Sequence, residues 1–178
     1  ISIGIAHRHS CLRPGPEEAI LLAMAEALPK LLILLFSIVL HEIAHGYAAL
    51  RQGDPTAKDA GRLTLNLIPH VDLVGTLLLP GFLILTGSPV LFGWAKPVPI
   101  NPYNFRDPRL GTAIVGMAGP ATNVIIAILA AVVFRIAFAV DPSGGGILLQ
   151  TLAYAVAINI VLATFNMVPI PPLDGSRV

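Results

Sequence analysis

Two imidazoles and a carboxylate interrupt the apolar run IVLHEIAHGY (residues 38–47) as His41, Glu42 and His45. On a helix, residues four apart project from one face about 40° apart, so His41 and His45 can share a single metal ion. Zinc suits neutral imidazole. Glu42, on the adjacent side, can take a proton from an activated water, which is the mechanical content of the His-Glu-x-x-His pattern. A bound cation would also offset the cost of a carboxylate among apolar side chains. Catalytic zinc ordinarily has three protein ligands, so one more must come from elsewhere. The candidates are His70 and the aspartates Asp54, Asp59, Asp72, Asp107, Asp141 and Asp174. Most of these aspartates sit in polar loops, where solvation or turn capping is their ordinary use. Asp174 differs, because it follows an apolar helix and Pro171-Pro172-Leu173, with Gly175 behind it. A rigid unwound segment there can present its carboxylate at depth.

The elements that must position these groups are those of a membrane protein. The 178 residues are 55% apolar and only 12% charged, well outside the soluble globular balance. Apolar runs near residues 28–50, 71–94, 110–140 and 147–168 approach or exceed the roughly 20 residues that a helix needs to cross the hydrocarbon. They predict an all-α polytopic bundle of three to five segments. A net charge of +1 without a basic stripe excludes nucleic acid as a partner. The single Cys11 supports neither a disulfide nor a Cys-rich zinc site. Residues 1–16 mix Arg, His, Pro and Gly without period and read as a flexible leader, not as a cleaved signal peptide. Residues 17–178 then form one membrane-embedded domain.

The first helix is expected from Pro16 through Leu50, bent or restarted at Pro29, with Gly53-Asp54-Pro55 as its stop. Gly61-Arg62-Leu63-Thr64-Leu65-Asn66-Leu67 alternates Leu with polar residues at period two and predicts a strand or hairpin at the membrane surface. Residues 71–94 are apolar but carry six Gly or Pro, from Gly75 to Gly93. That density predicts a re-entrant or peripheral segment rather than a straight span. A long helix follows Arg106-Asp107-Pro108-Arg109, and a last one runs from about Ile147 until Pro169-Ile170-Pro171-Pro172 stops it. Within the third run, the small residues around Gly116, Gly119 and Pro120 would let backbones approach closely. Asn123 could give its amide to a neighbouring helix or to a substrate carbonyl, and spacing alone leaves both open. Asn159 and Asn166 read as helix-helix hydrogen bonders.

Three motifs in order, His41-Glu42-Ile43-Ala44-His45-Gly46, Gly119-Pro120-Ala121-Thr122-Asn123 and Asn166 to Gly175 (NMVPIPPLDG), resemble those of the site-2 protease family of intramembrane zinc metalloproteases. Gly53 to Lys58 and Gly93 to Pro99 look like its compact prokaryotic branch without a PDZ domain, and the similarity extends from about Leu28 to Val178. The resemblance implies one Zn²⁺ held by His41, His45 and Asp174, Glu42 as the base, and Asn123 on the substrate strand or its oxyanion. Met167-Val168 between Asn166 and Pro169 departs slightly from the pattern, which weakens a substrate role for Asn166. Family members usually continue into a further helix, so the chain is expected to be truncated after Val178.

Convergence of His41, Asn123 and Asp174 requires residues 71–94 to begin and end on one side of the membrane. Arg51, Lys58, Arg62, Lys96, Arg106, Arg109 and Arg177 fall on the site side, against Arg135 opposite. The positive-inside tendency then makes that side cytoplasmic in a prokaryotic cell membrane. The expected activity is hydrolysis of peptide bonds in or near the membrane spans of other proteins, as in regulated intramembrane proteolysis. Its rival is a non-proteolytic membrane zinc-binding protein or zinc transporter, which also buries His and Asp in helices. Oligomeric state is not legible.

Overall fold

The computed structural model describes residues 15–88, 92–142 and 146–178. The expected leader, residues 1–16, falls almost wholly outside them. Helix α1, Pro16–Gln52, opens with proline in its first turn beside Glu17 and Glu18, and it closes at Gly53. It does not restart at Pro29, which lies inside a continuous helix; a proline removes only one ladder bond. A short α2, Thr56–Asp59, follows.

The predicted strand at residues 61–67 does not form, and no strand occurs among the described residues. Its backbone groups are taken locally instead. The Arg62 N–H donates to Ala57 O, while Asn66 N–H and Ile68 N–H donate to the Thr64 hydroxyl and the Asn66 amide oxygen. Such side-chain turns coil the chain before a ladder can form, and the Leu alternation, a true period-two signal, finds no neighbouring strand.

The apolar run after His70 starts as a wide turn, Leu73–Leu78, capped by Asp72, and continues into α3, Leu79–Leu85. Together they make the 13-residue apolar helix Leu73–Leu85, about 20 Å long and too short to cross the hydrocarbon alone. The chain then comes back to where it left. Trp94 N–H donates to Gly75 O at 3.1 Å, and the Thr76 hydroxyl donates to Trp94 O at 2.8 Å. Gly75 is what allows this closure, since a Cβ there would overlap the Trp94 indole.

Asp107 caps α4, Pro108–Val140, by accepting from the backbone N–H groups of Arg109 and Leu110, and α5, Ile147–Asn166, completes the bundle. The segments 24–52, 108–140 and 147–166 are long and apolar enough to span a membrane. α4 packs against both α1 and α5. Val124, Ile128, Val132 and Ile136 of α4 are exposed, a surface that belongs in lipid rather than water. The protein is a helical membrane protein. Inside, Leu34 and Ile38 of α1 pack with Ala95, and α3 and α5 add Leu83, Ile84, Ile158 and Leu162.

Asp54 ties the polar loops together outside the spans. Fully buried, it accepts from Asn101 N–H at 2.7 Å, from the Asn104 amide at 2.8 Å, and from both the backbone N–H and the hydroxyl of Thr56. Burial opposes its ionisation, but these donors outweigh burial and hold the carboxyl below the usual carboxylate range. A lowered folded-state pKa means that this stabilisation is complete above the unfolded value, about 3.9, and is lost as pH falls through the folded value. Asp54→Ala should destabilise the protein by about 1.5–3 kcal/mol at pH 7. The deficit should vanish in acid, as read by proteolysis of the 100–106 loop at both pH values.

Candidate metal centre and adjoining cavity

α1 supplies His41 and His45, and the turn after α5 supplies Asp174. Their ligand atoms all lie within 4.8 Å of one another. Nε2 of His41 and Nε2 of His45 stand 3.0 and 3.1 Å from Asp174 Oδ2 and 3.0 Å from each other. The far side of each ring fixes its proton. His45 Nδ1–H donates to Val115 O at 2.7 Å, and His41 Nδ1–H donates to Asn123 Oδ1 at 2.6 Å. Both Nε2 atoms are therefore left as lone pairs aimed at each other and at a carboxylate. Three lone-pair donors and one negative charge in a buried cluster need a positive charge between them, and this donor set fits a divalent cation with a preference for nitrogen and oxygen.

α4 makes room for the pair. A Cβ on Gly119 would stand 2.5 Å from Nε2 of both histidines, so only glycine lets α4 approach this closely. Asn123, one turn on, is fully buried behind His41, with its amide nitrogen donating to Asn159 Oδ1 at 2.8 Å. Of the two uses left open by its spacing, the structure displays the contact to neighbouring helices. Both ends of its amide are engaged, and it does not line the cavity.

That cavity, about 240 Å³, lies on the Glu42 side and is lined by His41, Glu42, Trp94, Ala95, Asn166 and Leu173 among others. Glu42 Oε2 accepts the Val98 N–H at 2.8 Å. The proline spacing of Pro97-Val98-Pro99 has a purpose here, because Val98 holds the single N–H of the three. This contact was legible only as a pattern without a partner. Asn166 donates to Leu162 O, one turn back on its own helix rather than on a neighbouring one, and it lines the cavity. The other candidate ligands lie elsewhere. Asp72 and Asp107 cap helical turns. His70 is buried with Nε2–H donating to Thr64 O at 3.1 Å, and burial pushes its imidazole down toward the neutral form.

A protein of Bacillus subtilis (strain 168) named "Putative zinc metalloprotease YwhC" is 41% identical over 158 residues, covering 85% of this chain and 68% of that protein. The chain belongs to the site-2 protease family of zinc metalloproteases. Two further members are Rip2 of Mycolicibacterium smegmatis, 30% identical over 79% of this chain, and zinc metalloprotease MJ0392 of Methanocaldococcus jannaschii, 32% identical over 83%. The chain spans only 52% and 32% of those two proteins. No family model and no solved structure matches it. Ser37 and Thr76 are further buried polar residues, and neither was singled out by a motif. The signal for Ser37 is its position one turn before His41 on the same helix face.

Proposed function

We propose that this chain is the catalytic core of an intramembrane zinc endopeptidase. The observation that carries the reading is the meeting of two α1 histidines with an aspartate from beyond α5, with Glu42 beside them facing a cavity. His41, His45 and Asp174 would hold the ion. When bound, zinc would polarise the scissile carbonyl and make the attacking water more acidic. Glu42 takes the proton of the attacking water and passes it to the leaving amine, and the Val98 N–H keeps its carboxylate turned toward the cavity. Asn123 acts by holding His41. Asn166, which lines the cavity, is the better placed amide for a substrate.

The substrate would be a membrane-spanning segment of another protein, unwound at the cleavage site because a helix hides its carbonyls. No hydrogen bond engages the Ala95 backbone among the described residues, and this residue of the extended segment lines the cavity. An unwound substrate strand can add to it there. Three candidate spans support a multi-pass arrangement, with the short helix Leu73–Leu85 re-entrant or peripheral. The cationic groups near the site support a cytoplasmic active side.

Purified protein in liposomes should cleave a co-reconstituted single-span substrate, lose that activity to a chelator, and regain it with added Zn²⁺. Zinc flux across the vesicles without cleavage would instead support a transporter.

A further inference from the structure

Behind the histidine pair, away from the cavity, runs a chain of hydrogen bonds of which the proposed mechanism uses only the last link, from Asn123 to His41. Asn159 of α5 is fully buried. Its amide nitrogen donates to Ala155 O at 2.9 Å and to the Ser37 hydroxyl oxygen at 2.8 Å. A backbone carbonyl can only accept, so Asn159 must turn its NH₂ toward Ala155 and its Oδ1 away. That oxygen faces Asn123 Nδ2 at 2.8 Å. Asn123 is thereby obliged to present Oδ1 to His41, and an acceptor 2.6 Å from Nδ1 requires the imidazole proton there. A flipped Asn159 would set oxygen against oxygen at Ala155. A flipped Asn123 would set its NH₂ against Nδ1 and move the His41 proton to Nε2, where no lone pair would remain for a metal.

We propose that Asn159 is a positioning residue that fixes the tautomer of His41 through Asn123, and so sets metal affinity from two hydrogen bonds away. The Ala155 carbonyl is the fixed end of the relay, and Ser37 anchors Asn159 back to α1, one turn from His41. The inference rests on the metalloprotease reading only for what occupies Nε2.

The relay makes a ranking that simple packing would reverse. Leucine at position 159 keeps apolar bulk but offers Asn123 no acceptor. A buried aspartic acid stays protonated, so it can donate O–H to Ala155 O and accept from Asn123 with its other oxygen. Metal-free proteins are titrated with Co²⁺ and read by visible d–d absorption, with thermal melting as the control for folding. Asn159→Leu should weaken cobalt binding by about 10–100-fold, and Asn159→Asp should stay close to the parent. Parent-like binding in Asn159→Leu, or weaker binding in Asn159→Asp than in Asn159→Leu, overturns the proposal.

A second measurement does not depend on a variant that folds. In ¹⁵N-histidine-labelled metal-free parent, at a pH where both imidazoles are neutral, His41 should carry its proton on Nδ1. A proton on Nε2 overturns the relay. A parent that takes up no cobalt contradicts the metalloprotease reading instead, and the labelled spectrum still decides the tautomer.

Discussion

Glu42→Gln protein should keep its metal and lose its peptidase activity, by about 10²–10⁴-fold, the usual contribution of a positioned general base. Glutamine has nearly the shape of glutamate and still offers an oxygen to the Val98 N–H, which holds Glu42 at 2.8 Å. The cavity and the histidine pair are thus undisturbed. What is lost is the ability to take a proton, because an amide is not a base. Since Glu42 makes no contact with Asp174 or with either imidazole among the hydrogen bonds found, zinc content should stay near one ion per chain. Metal analysis beside a cleavage assay checks both halves. Undiminished cleavage would remove Glu42 from the chemistry, and loss of zinc would make it a ligand rather than a base.

Different parts of this arrangement were legible in the sequence to different degrees. The pairing of His41 with His45 follows from helical period alone, and Asp174 could be singled out by the proline brake before it. Both are local rules, and the structure brings the three residues together. Asn123 was visible as a polar intrusion, but its spacing could not say which way its amide points. That depends on Asn159 and finally on Ala155 O, a backbone group one helix further away. The misread strand at residues 61–67 fails for a related reason. Period two describes one segment, whereas a strand needs a partner, and here Thr64 and Asn66 supply local bonds first. The return of Trp94 to Gly75 was foreseeable only as a demand that both ends of the segment share one side. The pair of hydrogen bonds that meets this demand has no sequence signature.

Asp174→Ala is expected to strip the site of metal and activity together, by at least the loss expected for Glu42→Gln. The carboxylate is the only negative charge in the group of three, with one oxygen facing both Nε2 atoms. Without it, two neutral imidazoles confront each other at 3.0 Å, and two ligands are fewer than catalytic zinc ordinarily keeps. Asp174 is also the contribution of the chain beyond α5. Its main chain lies against α4, where a Cβ on Gly116 would come 3.1 Å from Asp174 O. Truncation of the side chain leaves that backbone contact in place, so the helices should stay assembled and the fold should survive. Asp174→Asn separates charge from shape. It retains an oxygen ligand but not the charge, and should bind zinc more weakly than the parent and better than Asp174→Ala. Metal content after dialysis, measured for all three proteins beside their melting curves, tests the order. If Asp174→Ala keeps both zinc and cleavage, the third ligand lies elsewhere, and the meeting of the post-α5 turn with α1 is structural only.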